Sequence, residues 1–371
     1  MGFTFQFIIR LFLTMLLSLV LTPIIKIFAF KIGATDAPSE RRINQTTMPT
    51  AGGLAIFISF AVVALFESWA TPDFERTMWI LISAAIVVLT GLMDDIKELT
   101  PKQKTLGITI AALVIYYLAD IGFHTINIPF IGTFQLEWLS LPMTIIWILA
   151  ITNAVNLIDG LDGLAAGVSM IALATIGLVS YFFLPGYGVF LAILIFSLIA
   201  AIAGFFPYNF HPATIYLGDT GALFLGFMIA VFSLQGLKNA TFISVLTPMF
   251  ILGVPITDTV YAMIRRLFNK QPISSPDKMH LHHRLLSLGF THRGAVLTIY
   301  AMALAFSFIA LLMNHASTSA TVLLIIATVI GLELFIELIG LVGENRQPLM
   351  KTLKFIGNRR YRQEILNKRK K

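Results

Sequence analysis

The residues of this chain that could do chemistry stand in short clusters, each at the end of a long apolar run. The densest is NAVNLIDGLDGLAAG, residues 153–167, with Asn153, Asn156, Asp159 and Asp162 inside ten positions. Carboxylates left unpaired beside apolar surface are costly, so a cation is expected to meet them. The glycines after Asp159 and Asp162 let the backbone turn and come close to a ligand. A turn whose aspartate caps the next helix is the plainer alternative. A calcium loop fits less well, because the bidentate glutamate it needs further on is missing.

A second cluster, GLMDDIKELTPKQK (91–104), places Asp94 beside Asp95. Adjacent carboxylates repel, and a proton or a divalent cation relieves them. Glu98 follows Asp94 by four residues, so a continuing helix would set both on one face. Lys97, Lys102 and Lys104 suit phosphate oxygens, against the alternative of an ordinary solvated helix end. A third, PYNFHPATIYLGDTGALFLG (207–226), carries Asn209 and Asp219. Asp219 is either an N-cap or a ligand for magnesium, which takes one or two carboxylates and completes its shell with water and phosphate. His211 reads as an ordinary loop residue. A fourth, HLHHRLLSLG (280–289), has His280, His282, His283 and Arg284. With no cysteine in the chain and no helical HExxH spacing, zinc fits poorly there. Imidazoles among Arg265, Arg266, Lys270, Lys278 and Arg284 look instead like anion contacts. DAPSERRINQTTMPTAGG (36–53) is a weaker signal, with Asp36, Arg41 and Arg42 as phosphate contacts or simply a basic loop. Asp258, Glu333 and Glu337 lie inside apolar runs and are ambiguous between function and structural hydrogen bonding.

The elements that must position these clusters are membrane spans. The 371 residues are 57% hydrophobic and 12% charged, against about 25% charged in a soluble domain. A span needs about 20 apolar residues. Eleven candidates follow: 3–30, 51–69, 78–93, 104–120, 138–155, 164–184, 187–206, 220–236, 241–264, 294–314 and 318–341. The first is too long for a signal-peptide core and lacks a small-residue cleavage site, so it reads as a retained span. Of the 26 lysines and arginines, counting Lys26 at the inner end of the first span, all but Arg10, Arg76 and Lys238 fall on one side of the alternating loops. Such a bias makes that side cytoplasmic, with the N-terminus outside and the C-terminus inside. The net charge of +7 is then loop charge rather than a sign of nucleic-acid binding. The fold class is an all-α polytopic membrane protein with about 11 transmembrane helices, plus a small external β-hairpin expected near 124–138. Residues 342–371 read as a basic cytoplasmic tail, near anionic headgroups or solvated, with no catalytic role.

All the polar clusters thus face one side of the membrane. Taken together, DAPSERR…PTAGG, GLMDDIKE, NAVNLIDGLDGLAAG, YLGDTGALFLG and HLHHRLLSLG resemble, in order from 36 to 289, the polyprenyl-phosphate N-acetylhexosamine-1-phosphate transferases. The resemblance implies a transferase domain over 1–341, in the plasma or inner membrane, with its active site on the cytoplasmic face. It implies attack of undecaprenyl phosphate on a UDP-sugar, with release of UMP and Mg2+ as cofactor, for which Mn2+ can substitute. It assigns Asp219, with Asp95, to the metal. It gives the acidic pair Asp94 and Asp95, with Asp159, Asp162, His282 and His283, to catalysis. Asn156, Asn209, Lys104, His280, Arg284 and Arg42 are left to bind substrate. Partners are UDP-GlcNAc, undecaprenyl phosphate and membrane lipids, with no nucleic acid and with a homodimer compatible with the family. The peptidoglycan branch of that family, the phospho-N-acetylmuramoyl-pentapeptide transferases, typically has three consecutive histidines followed by Phe-Glu. HLHHRL departs from that, as does Glu98 in place of lysine, and both favour UDP-GlcNAc and an envelope polymer such as wall teichoic acid. A multispan transporter or lipid flippase is the alternative from a different class, but no internal repeat supports it and the acids gather at one surface.

Overall fold

Without water at hand, apolar runs satisfy their backbone N–H and C=O groups by coiling into helices, and helices make up most of the described residues. The computed structural model describes residues 5–37, 47–128, 132–184, 186–235, 240–268, 270, 280–341 and 347–358. From the N-terminus run α1 (Phe5–Ile32), β1 (Thr35–Asp36), β2 (Met48–Pro49), α2 (Gly53–Ser68), α3 (Phe74–Lys97) and α4 (Pro101–Leu118). Then follow β3 (Thr125–Ile128), β4 (Gly132–Gln135), α5 (Ser140–Ile158), α6 (Leu164–Phe183), α7 (Gly188–Asn209) and α8 (Gly218–Gln235). The last part holds β5 (Ala240–Thr241), α9 (Phe242–Ile251), α10 (Gly253–Phe268), α11 (Leu281–Ser287), α12 (His292–His315), α13 (Thr318–Ile339) and α14 (Pro348–Gly357). The protein is an all-α, multi-pass membrane protein. Among the described residues eight helices are long and apolar enough to cross a bilayer: α1, α3, α5 with the turn before it, α6, α7, α8, α12 and α13.

Each of the eleven expected spans falls on helix, with two corrections. The run 241–264 is two helices, α9 and α10, parted at Leu252. Pro255 lacks the N–H that would bond the Ile251 carbonyl, so a rung of the helical ladder is missing at this break. The helix carrying Asp94 ends at Lys97, because Glu98 takes a left-handed φ of 49°. Glu98 therefore does not share a helical face with Asp94. The expected hairpin is present: β3 and β4 pair antiparallel with Thr125 opposite Gln135, and β5 adds to β3 in parallel.

The core is built around α8, which is buried from Thr220 through Leu234. A helix apolar on every side belongs in an interior, and α3, α5, α2 and α6 pack along it. Gly53 of α2 lies so close to α8 that a Cβ there would sit 2.2 Å from the Gly221 Cα. By contrast α1 and α13 expose most of their apolar surface, as lipid-facing helices do. Trp69 and Trp138 are exposed at the end of the bundle opposite the polar clusters, a position that suits tryptophan at a membrane–water boundary. The stretch after α13 contains a further helix. The carboxylate of Glu337 accepts from the Leu349 and Met350 N–H groups at 2.7 and 2.6 Å, which fastens the start of α14.

Candidate active site

The site forms where α3, α4, α5 and α8 meet at one end of the bundle. α8 opens on Gly218, whose φ of +71° suits glycine and where a Cβ would stand 2.6 Å from Asp95 Oδ2. The Asp95 carboxylate, reaching over from α3, accepts from the Asp219 N–H at 3.0 Å. It also accepts from the Thr220 N–H at 3.1 Å and the Thr220 hydroxyl at 2.5 Å. These are among the N–H groups that the first turn of a helix leaves without partners. Asp95, expected from the resemblance as a metal ligand, is engaged through both oxygens as the N-terminal cap of α8. One turn back on α3, Gly91 lets the helices touch: a Cβ there would lie 2.5 Å from the Asp219 carbonyl oxygen.

Asp94 accepts from the Leu99 N–H at 2.7 Å and from Lys104 Nζ at 2.7 Å. Lys104 comes from the first turn of α4, which is set by a reciprocal Thr100–Gln103 capping box and by Pro101 at the helix start. The same ammonium bonds to Asp219 Oδ2. Asn156, near the end of α5, donates from Nδ2 to Asp219 Oδ1 at 2.9 Å. One lysine and one amide therefore hold Asp219 from two helices.

Asp159 follows in the turn after α5. Its N–H donates to the Asn156 carbonyl at 3.2 Å, whereas its carboxylate has no hydrogen bond or ion pair among the described residues. Burial, together with the nearby charges of Asp219, Asp95 and Asp162, pushes its carboxyl up to about 8. Carboxylates outnumber cations here, and an oxygen-rich pocket short of positive charge suits a hard divalent ion.

The histidine segment packs onto this turn. A Cβ on Gly160 would be 2.3 Å from His282 Nε2. Burial and the charge of His283 push the His282 imidazole down to about 3, so it is neutral near pH 7 and offers hydrogen bonds rather than charge. His283 lies beside it, ring centroids 4.2 Å apart, and His280 lies parallel to it at 6.0 Å. Asp258 secures the segment: its Oδ2 is 3.0 Å from His280 Nδ1, and its Oδ1 accepts from the Leu281 N–H at 2.8 Å. Arg284 is directed elsewhere, with Nε donating to the Ile339 carbonyl at the end of α13. Asn209 is buried and donates to the Ile215 carbonyl at 3.2 Å, while its Oδ1 has no partner among the described residues. Arg42, Arg41 and Lys278 lie outside the described residues.

Asp162 makes a separate group. Its Oδ2 lies 2.8 Å from His211 Nδ1 and accepts from the Ala213 N–H at 3.1 Å. His292, the first residue of α12, stacks on His211 at 4.1 Å. Sequence reasoning passed over both histidines. The available signal was a histidine beside a proline in an otherwise apolar loop.

The clusters thus converge on one end of a multi-span helical bundle, and comparison with known proteins gives that arrangement its class. Residues 77–237, from α3 to just beyond α8, match the model of glycosyl transferase family 4. A probable undecaprenyl-phosphate N-acetylglucosaminyl 1-phosphate transferase of Bacillus subtilis (strain 168) is 42% identical over 94% of this chain and 96% of its own. A decaprenyl-phosphate N-acetylglucosaminephosphotransferase of Mycobacterium tuberculosis (strain H37Rv) is 34% identical over 74% of each chain. A phospho-N-acetylmuramoyl-pentapeptide-transferase of Oceanobacillus iheyensis is 31% identical over 82% of this chain and 96% of its own. The chain is therefore a membrane-embedded phosphosugar transferase. It belongs to the polyprenyl-phosphate N-acetylhexosamine-1-phosphate transferases, whose N-acetylglucosaminyl and pentapeptide members both lie among its relatives.

Proposed function

We propose that the protein transfers GlcNAc-1-phosphate from UDP-GlcNAc to undecaprenyl phosphate, forming undecaprenyl-diphospho-GlcNAc and UMP. The observation that carries this reading is the meeting of Lys104, Asn156, Asp94 and Asp219 from four helices. That arrangement has the character phosphoryl transfer needs: fixed positions and charge for phosphate oxygens. In the reaction an acceptor oxygen bonds to the sugar-bearing phosphorus, and the bond from that phosphorus to UMP breaks. A phosphate monoester has a second pKa of about 6, so the acceptor arrives largely dianionic and needs no strong base. Asp94, committed to Lys104 and the Leu99 N–H, orients the lysine toward the phosphates. Asp219 and the unpartnered Asp159 are the residues to hold Mg2+, which when bound neutralises diphosphate charge. Asp95 sets the position of Asp219 through the α8 terminus. His282 and His283 contribute hydrogen bonds to the donor.

The site faces the cytoplasm in this reading, with eleven passes, the N-terminus outside and residues 342–371 as a cytoplasmic tail. The distribution of lysine and arginine supports it. The product would begin an envelope polymer such as wall teichoic acid. In detergent, the purified protein is expected to release UMP from UDP-GlcNAc only with undecaprenyl phosphate and Mg2+ both present. Asp219→Ala should remove this activity while leaving a monodisperse protein. Normal turnover by that variant would overturn the metal assignment. Faster turnover with UDP-MurNAc-pentapeptide would transfer the protein to the peptidoglycan branch.

A further inference from the structure

Asp162, His211 and His292 come from three separate stretches of the chain, yet each offers one donor atom within 4.8 Å of the other two. We propose that these three residues form a second divalent-cation site, one that takes Zn2+ or a similar transition ion. A carboxylate with two imidazoles is a softer ligand set than the two carboxylates of Asp219 and Asp159, and it favours zinc or cobalt over magnesium. Three protein ligands also leave a fourth position for water.

The surroundings are built to hold the three together. Tyr300, two turns along α12 from His292, donates its hydroxyl to the Gly163 carbonyl at 2.6 Å, which ties α12 to the Asp162 turn. Arg293 donates to the His211 main-chain carbonyl at 3.0 Å, which ties the start of α12 to the third stretch. His211 Nδ1 and Asp162 Oδ2 already stand 2.8 Å apart. Neighbouring donors on a tetrahedral ion with bonds of about 2 Å are separated by roughly 3.3 Å. His292 Nδ1 is buried and has no hydrogen-bond partner among the described residues, a state a ring nitrogen usually leaves by finding a proton, a donor or a metal. The two rings are stacked at 4.1 Å and 20°, so binding one ion between them would require a side-chain rotation of His292.

The test needs neither nucleotide nor lipid substrate, so its outcome is independent of the transferase reading. The full-length protein in detergent, held in excess Mg2+ to occupy oxygen-only sites, is titrated with Co2+. One equivalent should produce the visible absorption of four-coordinate, imidazole-bound Co2+, and one equivalent of Zn2+ should abolish it. His292→Gln and His211→Gln should each weaken the binding by more than about tenfold, while His283→Gln should leave it intact. Absence of binding to the unaltered protein overturns the proposal without recourse to any variant. So does a signal that survives His292→Gln and disappears in His283→Gln. Should His292→Gln fail to purify as a monodisperse protein, His211→Gln carries the same comparison.

Discussion

Asp159 is the carboxylate with the most to gain from a cation, and its proton affinity makes that measurable. Its folded-state pKa, about 8, lies above the ordinary carboxylate value of about 3.9. Stability from this group is therefore fully present below the unfolded value and is lost as pH rises through the folded one. Asp159→Asn, which cannot ionise, should melt higher than the parent protein in metal-free detergent buffer. The gap should widen between about pH 5 and pH 8, and Mg2+ should narrow it. Differential scanning fluorimetry reads this directly, and equal gaps at both pH values would refute the burial of Asp159 charge. At this scale the sequence was most legible where polarity was out of place: Asp94, Asn156, Asp159 and Asp219 each interrupt or end an apolar run. Partnership was not legible. Asp95 caps a helix that begins more than a hundred residues later, and nothing local to GLMDDIKE signals that. Arg284 looks the same in sequence whether it meets a phosphate or the Ile339 carbonyl.

The contact between α3 and α8 decides whether the acidic pair reaches Asp219. Gly91 permits that contact, since a Cβ would already press on the Asp219 carbonyl. Gly91→Val should push the helices apart and lower UMP release by on the order of 100-fold, the scale expected from displacing reactive groups by about 1 Å. Wild-type turnover in that variant would mean the contact is not required. The start of α4 rests on a local signal, Thr100–Pro101–Gln103 ahead of Lys104, that the expected span from 104 did not use. The break at Leu252 was also written in the chain, in Gly253 and Pro255, but the surrounding hydrophobicity masked it. A window long enough to find spans averages over one proline.

Across the whole molecule, one end carries the carboxylates, lysine and histidines of the candidate site, and the other carries exposed tryptophans. The absence of cysteine makes sidedness simple to test with single reporters. Lys97→Cys lies at the polar end and Ser319→Cys at the other, both exposed. In intact cells a membrane-impermeant maleimide should label Ser319→Cys and spare Lys97→Cys, which should react once the membrane is opened. The reverse pattern would invert the topology.

α8 has neighbours on every side and carries in its first turn the aspartate held by Lys104 and Asn156. Most helices tolerate substitution with a beat of about 3.6 residues, as one face meets solvent or lipid. Here that beat has nothing to arise from. A saturation-mutagenesis profile should run flat and intolerant from Thr220 to Leu234, so that this stretch would resemble a keel whose every plank is under load.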